Sequence, residues 1–224
     1  MVGDSLWEAV IAEPHTGVSI VTIDGTVLYM NDQLARIFHG EGATASRWID
    51  QNLSAIHPQG WVTHRLATLR RVNATGKPAL VRVIWQGRQH HTWIYPIGAE
   101  GVDESDPSDL PGKATPDRFL TITRFVEGEG PPRLSEEGYE YSESDWVDLG
   151  PLKVLSPREV EVLALIGQGM SNKEIAASLF RSVKTIDNHR ASIGAKLQVA
   201  ERVGLAAIAH RAGLTLRDAE RERL

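Results

Sequence analysis

The chain has no cysteine among its 224 residues, which excludes disulfides, thiolate metal sites, a cysteine nucleophile and a flavin–cysteinyl photoadduct. No apolar run approaches the length of a membrane span. The opening MVGDSLWEAV lacks a basic region followed by an apolar block. A cytoplasmic protein with no membrane partner is expected. There is no phosphate-cradling glycine loop and no Ser/His/Asp arrangement in a supporting context. Asp24, Asp32 and Asp50 do not recreate a phospho-accepting carboxylate cluster with its lysine, so no enzyme is expected. Internal repeats are absent. The length suits one large domain or two modest ones, each able to bury a core.

Positive charge is scarce in the first part of the chain. Residues 1–150 hold 12 Lys and Arg against 21 Asp and Glu, and residues 151–224 hold 12 against 8. The second part thus has the local positive balance that phosphate binding needs, although modestly for one copy, which favours a dimer.

What is present is clearest from Leu155 to Gly213. Ser156, Pro157 and Glu159 write an S-x-x-E capping box with proline at the first helical position, where its missing N–H costs nothing. That helix runs to about Ile166 and stops at Gly167-Gln168-Gly169. Ser171 and Glu174 form a second box, opening a short helix that halts near Phe180-Arg181. Ser182 caps a longer helix from Val183 to about Leu197. Two helices joined by a tight turn, the second one longer, predict a helix-turn-helix.

The longer helix has two faces. Ile186, Ile193 and Leu197 form a seam for burial, with His189 beside it as a packing or phosphate-contacting residue. Lys184, Asp187, Asn188, Ala191 and Ala195 lie opposite. Such a face suits the major groove: Lys donates to guanine, Asn pairs with adenine, Asp accepts from cytosine and Ala meets a thymine methyl. Lys173, Arg190 and Lys196 lie to the side, where phosphates would pass. This run resembles the LuxR-type (GerE-like) DNA-binding domain of bacterial transcription regulators, on Leu155, Arg158-Glu159, Val162-Leu163, Gly169, Ser171 to Ala176, Leu179, Ser182, Lys184 to Ile186, Asn188 to Arg190 and Lys196-Leu197. The resemblance implies base-edge contacts from Lys184, Asp187, Asn188 and Ala191. It implies phosphate contacts from Asn172, Lys173, Thr185, Arg190 and Lys196. A fourth helix, within Ala200 to Ala212, would support the reading helix and pair two copies. Asp187 stands where many relatives carry lysine, so base preference does not transfer.

The N-terminal part alternates strand and helix signals. Strands are expected at Val18–Ile23 and Val27–Met30 about an Asp24-Gly25 turn, and at Leu80–Trp85, His91–Ile97 and Phe119–Val126. Between them lie helices at Gln33–Phe38, around Ala45–Asn52 and Leu53–His57, and from about Trp61 to Asn73. The last has Val62, Leu66 and Leu69 on one side, with Arg65, Arg70 and Arg71 off it. Gly98 to Asp117 reads as a long exposed loop. Glu127 to Pro151, rich in Glu, Ser, Gly and Pro, reads as an acidic linker whose Tyr139, Tyr141 and Trp146 could dock on a neighbouring surface.

The order of elements resembles a PAS domain over roughly residues 8–127, with GVSIVTIDGTVLYMNDQLARIF as its opening hairpin and helix. That resemblance implies sensing through a small molecule held between sheet and helices, or dimerisation, in which Ser5 to Ile11 could take part as an amphipathic cap. His64 alone on its helix is not sufficient to expect haem, His90 and His91 point to opposite strand faces and cannot chelate easily, and Trp85 and Trp93 read as core packing.

The expected fold is α+β: a PAS-like five-stranded antiparallel sheet with helices on one face (1–127), an acidic linker (128–151), and an all-α four-helix LuxR-type domain (152–224). The expected function is a transcriptional regulator that binds double-stranded DNA as a homodimer, with RNA polymerase as a further partner and a ligand or cofactor of unknown identity. Alternatives are a PAS-driven module whose basic domain binds a protein, a haem or flavin sensor, and a sigma-factor fourth region, which lacks its promoter-melting helical domain here.

Overall fold

The computed structural model describes residues 11, 13, 15–97, 117–128 and 138–224. The sequence-expected elements at Ser5 to Ile11 and the loop at Gly98 to Asp117 therefore lie largely outside the described residues. The chain divides into two compact units, residues 1–82, 91–125 and 133–144, and residues 83–90, 126–132 and 145–224.

Strands β1 (Thr16–Thr22) and β2 (Val27–Met30) form the expected antiparallel hairpin. Its turn is built by local polar bonds: Thr26 N–H donates to Thr22 Oγ1 at 2.9 Å, and Gly25 takes the positive φ of 91° that a side chain would resist. Helix α1 (Asp32–His39) follows at once, because Asn31 caps it by accepting from Leu34 N–H at 3.0 Å. The same side chain accepts from Val18 N–H at 2.9 Å and donates to the Thr16 carbonyl at 2.9 Å, so strand and helix share one amide. Gly17 lets them close up: a Cβ there would stand 2.6 Å from Leu34 Cδ1. A 3-10 turn at Ala45–Arg47, shorter than the helical piece expected, precedes α2 (Leu53–Ile56) and α3 (Gln59–Thr75).

Strands β3 (Ala79–Trp85), β4 (Arg88–Ile97) and β5 (Arg118–Phe125) lie within a residue or three of their expected bounds. Two further strands, β6 (Glu140–Val147) and β7 (Glu222–Arg223), make the sheet seven-stranded rather than five among the described residues, in the order β2-β1-β5-β4-β3-β6-β7. The β6–β7 pair is parallel, so the sheet is also not wholly antiparallel.

Strand β6 lies in the stretch expected to be an unstructured linker, and the composition that misled has a structural use. Glu140 sits 2.8 Å from Arg71, and Glu143 sits 3.6 Å from the fully buried Arg82. Acidic residues that look solvating in sequence are thus the counter-ions of arginines. Tyr139 meets Tyr95 edge-on, with ring centroids 6.1 Å apart. Burial and the bond from Tyr139 push the Tyr95 hydroxyl up to about 12.

Among its described residues the second unit holds four α-helices: α4 (Pro157–Gly167), α5 (Asn172–Ser178), α6 (Val183–Leu197) and α7 (Arg202–Ala212). Both predicted capping boxes are present, with Ser156 paired to Glu159 and Ser171 to Glu174. Val160, Leu163, Ile166, Ile175, Ile186 and Ile193 have no exposed surface and centre one core. Gly167 allows α4 and α7 to touch, since a Cβ there would lie 2.6 Å from that of Ala209.

Candidate nucleic-acid interface

Helix α6 is fixed from below and from its start. Ile186 and Ile193 are fully buried, and Leu197 packs against the same core. Ser182 opens the helix by accepting from Thr185 N–H at 3.1 Å, and the two hydroxyls lie 2.8 Å apart. Ser182→Ala is expected to cost about 1 kcal/mol of domain stability, typical of a lost N-cap, measurable as a shift in the urea midpoint. An unchanged midpoint would show that the cap contributes nothing.

The turn before α6 is also tied down. Arg158 donates to the Leu179 carbonyl at 2.9 Å and pairs with Glu161, while Phe180 takes a positive φ of 52° and stands 89% exposed. The residues expected at base edges occupy one side of α6. Lys184, Asn188 and Ala191 are exposed, and Asp187 is half-buried. Lys173 is exposed and Arg190 half-buried, and neither has an acidic partner among the described residues.

Besides Thr185, whose hydroxyl meets Ser182, two expected phosphate contacts are engaged within the protein. Asn172 donates to Asp187 Oδ1 at 2.7 Å and accepts from Arg202 Nη1 at 2.9 Å. Arg202 also donates to the Met170 carbonyl. The chain Arg202–Asn172–Asp187 therefore links the starts of α7, α5 and α6, and gives the Asp187 carboxylate a donor. Lys196 pairs at 2.6 Å with Glu159, which also accepts from Ser192 at 2.7 Å and Ser156 N–H at 2.7 Å. Burial raises the Glu159 carboxyl, but the bonds from Lys196, Ser192 and Ser156 outweigh it and hold the group down to about 2. Arg202 was not singled out in the sequence, and Arg158 only as one of the residues that carry the resemblance. Arg202 begins α7 far from α5 in the chain, and no local spacing reports such a contact.

The first unit contains a small cavity between sheet and helices. Ser19, Val21, Thr121 and Thr123 face it from β1 and β5, Phe38 from α1, and His57, Trp61 and Arg65 from α3 and the residue after α2. Arg65 corrects the sequence expectation: it was placed off the apolar side with Arg70 and Arg71, yet it is only 6% exposed. Its spacing could have shown this, because Trp61, Arg65, Leu69 and Val72 fall on one helical stripe. Burial, then the charges of His39 and Arg65, drive His57 down to about 3, so its imidazole is neutral.

A short helix, a tight turn and a longer helix with a polar outer face define a helix-turn-helix unit of the DNA-binding class. Residues 153–209 match the family of bacterial regulatory proteins, luxR family, and the segment is a helix-turn-helix domain of that family. The oxygen regulatory protein NreC of Staphylococcus haemolyticus is 42% identical over 76 residues, covering 34% of this chain and 35% of that protein. The transcriptional regulatory protein LiaR of Bacillus subtilis is 44% identical over 61 residues, covering 27% and 29%. The chain thus spans about a third of the length of the curated relatives it matches. Among solved structures, a domain of HTR-like protein from Haloarcula marismortui is 21% identical and covers 50% of this chain and 97% of that one, with a TM-score of 0.38. A Vibrio cholera VqmA–ligand–DNA complex is 14% identical and covers 98% and 93%, with a TM-score of 0.48. Likenesses of that strength carry no functional assignment.

Proposed function

We propose that this chain is a cytoplasmic transcriptional regulator, not an enzyme, in which residues 152–224 bind double-stranded DNA and residues 1–127 sense a small molecule or drive dimerisation. The observation that carries the reading is α6: Ile186 and Ile193 bury one face while Lys184, Asn188 and Ala191 stand exposed on the other, within the luxR-family segment. Lys184, Asp187, Asn188 and Ala191 read base edges, and Lys173, Thr185 and Arg190 meet phosphates. Asn172 and Lys196 reach phosphates once their internal bonds to Asp187 and Glu159 are exchanged. RNA polymerase is a further partner of this reading. A gel shift on genomic fragments across a salt series tests it. Retention that weakens steeply as salt rises supports phosphate-based binding, and no retention at low salt overturns the reading.

Two copies pair through α7, whose Val203 is 77% exposed. Half-sites about 34 Å apart would then be read together. Val203→Asp is expected to sediment as a monomer and to lose about tenfold or more in affinity for a duplex with two half-sites, with little change on a single half-site. A variant that remains dimeric would remove α7 from the pairing surface.

A further inference from the structure

The cavity of the first unit holds a charge that no described residue balances. Arg65 lines the space and is 94% buried by its 6% exposure, yet it has no hydrogen bond or ion pair among the described residues. It stands over the face of Trp61, with the guanidinium carbon 4.8 Å from the ring centroid. A ring face attracts the cation but accepts none of the five N–H donors at the fork. Among the described residues no acidic side chain lines the cavity. A buried cation without a counter-ion is costly, and burial draws the Arg65 group down to about 10.

The sheet side offers donors as well. Ser19 and Thr121, opposite each other in register, have hydroxyls 2.7 Å apart, and Thr123 and Thr92 have hydroxyls 3.0 Å apart. Each pair uses one O–H between its members and leaves one O–H donor over. These four residues are at most 4% exposed. The rest of the lining is mainly apolar, with Val21, Val27, Met30, Leu34 and Phe38 among it.

We propose that the cavity takes a small organic carboxylate, its oxygens held by the Arg65 fork and the spare hydroxyl donors, its apolar body against Phe38 and Met30. This rests on the sensor reading above and names the ligand class for it. A guanidinium matches a carboxylate with two parallel N–H···O bonds, which neither a halide nor a neutral amide reproduces. One cation and no acid in the lining specify a single negative charge. The confined space specifies a compact guest.

The test is calorimetric titration of the full-length protein with benzoate and isobutyrate, beside benzamide, isobutyramide and chloride, with DNA affinity measured under each. Either carboxylate is expected to bind at least about tenfold tighter than its amide. Arg65→Met is expected to abolish that preference, and Arg65→Lys, which keeps the charge but not the fork, to weaken carboxylate binding about tenfold. Carboxylates and amides that bind alike would overturn the carboxylate assignment while leaving a small-molecule sensor standing. No binding of either carboxylate at millimolar concentration would overturn it too. Carboxylate binding that leaves DNA affinity unchanged would instead overturn the coupling of this site to DNA binding while leaving the carboxylate assignment standing. Should Arg65→Met fail to fold, the Arg65→Lys variant and the acid–amide comparison on the unaltered protein still decide.

Discussion

The Lys184→Ala, Asn188→Ala double variant is expected to lose roughly two to four orders of magnitude in affinity for its operator while remaining folded. Both side chains are exposed on α6 and carry no core contact, so their removal leaves the Ile186 and Ile193 seam intact. A good bidentate contact to a base discriminates by about 1–3 kcal/mol, and each 1.4 kcal/mol is about tenfold. Affinity for random duplex should fall far less, by about tenfold at most, since only one cation is lost and the salt slope drops by about one. Gel shifts on operator and random duplex across a salt series separate the two effects. Equal losses on both would mean that this face reads no sequence.

Glu159→Ala is expected to destabilise the DNA-binding domain by about 3 kcal/mol. The glutamate completes the α4 capping box and anchors Ser192 and Lys196 on α6. Breaking a buried pair costs roughly 3–5 kcal/mol, and the low end applies because the Lys196 side chain is 39% exposed and can turn to water. The same bonds predict an acid limb. The folded carboxyl sits at about 2 against a usual 4.5, a lowered value, so its contribution is complete above 4.5 and is lost as pH falls toward 2. Urea midpoints measured from pH 5 downward should fall more steeply in the unaltered protein than in Glu159→Gln. Glu159→Gln should in addition release Lys196 toward DNA and raise affinity for random duplex. Parallel pH profiles for the two proteins would remove Glu159 as the anchor.

The helical domain was almost fully legible in the sequence because its instructions are local. Ser156, Ser171 and Ser182 each act within three residues of themselves, and α6 spans Val183–Leu197 as the pattern predicts. What sequence could not supply is pairing across distance. Glu140 and Glu143 look like a solvated tether until Arg71 and Arg82 are placed beside them, and the two residues of β7 have no pattern of their own. The same holds for the interface. The exposed face of α6 could be read from its periodicity, whereas the engagement of Asn172 by Arg202 and of Lys196 by Glu159 spans 30 and 37 positions. Arg65 was legible and misread: its charge was weighed above its place on the Trp61 stripe.

Asn31 sets how the cavity of the first unit can change shape. Asn31 caps the first turn of α1 and holds β1 through its side-chain bonds to Val18 and Thr16 and its own N–H to the Val18 carbonyl, so β1 and α1 part only when bonds to Asn31 break. Floor and near wall therefore behave as a single plate. Breathing of the space, and entry of any guest, falls to the opposite jaw, α3, which carries Trp61 and Arg65.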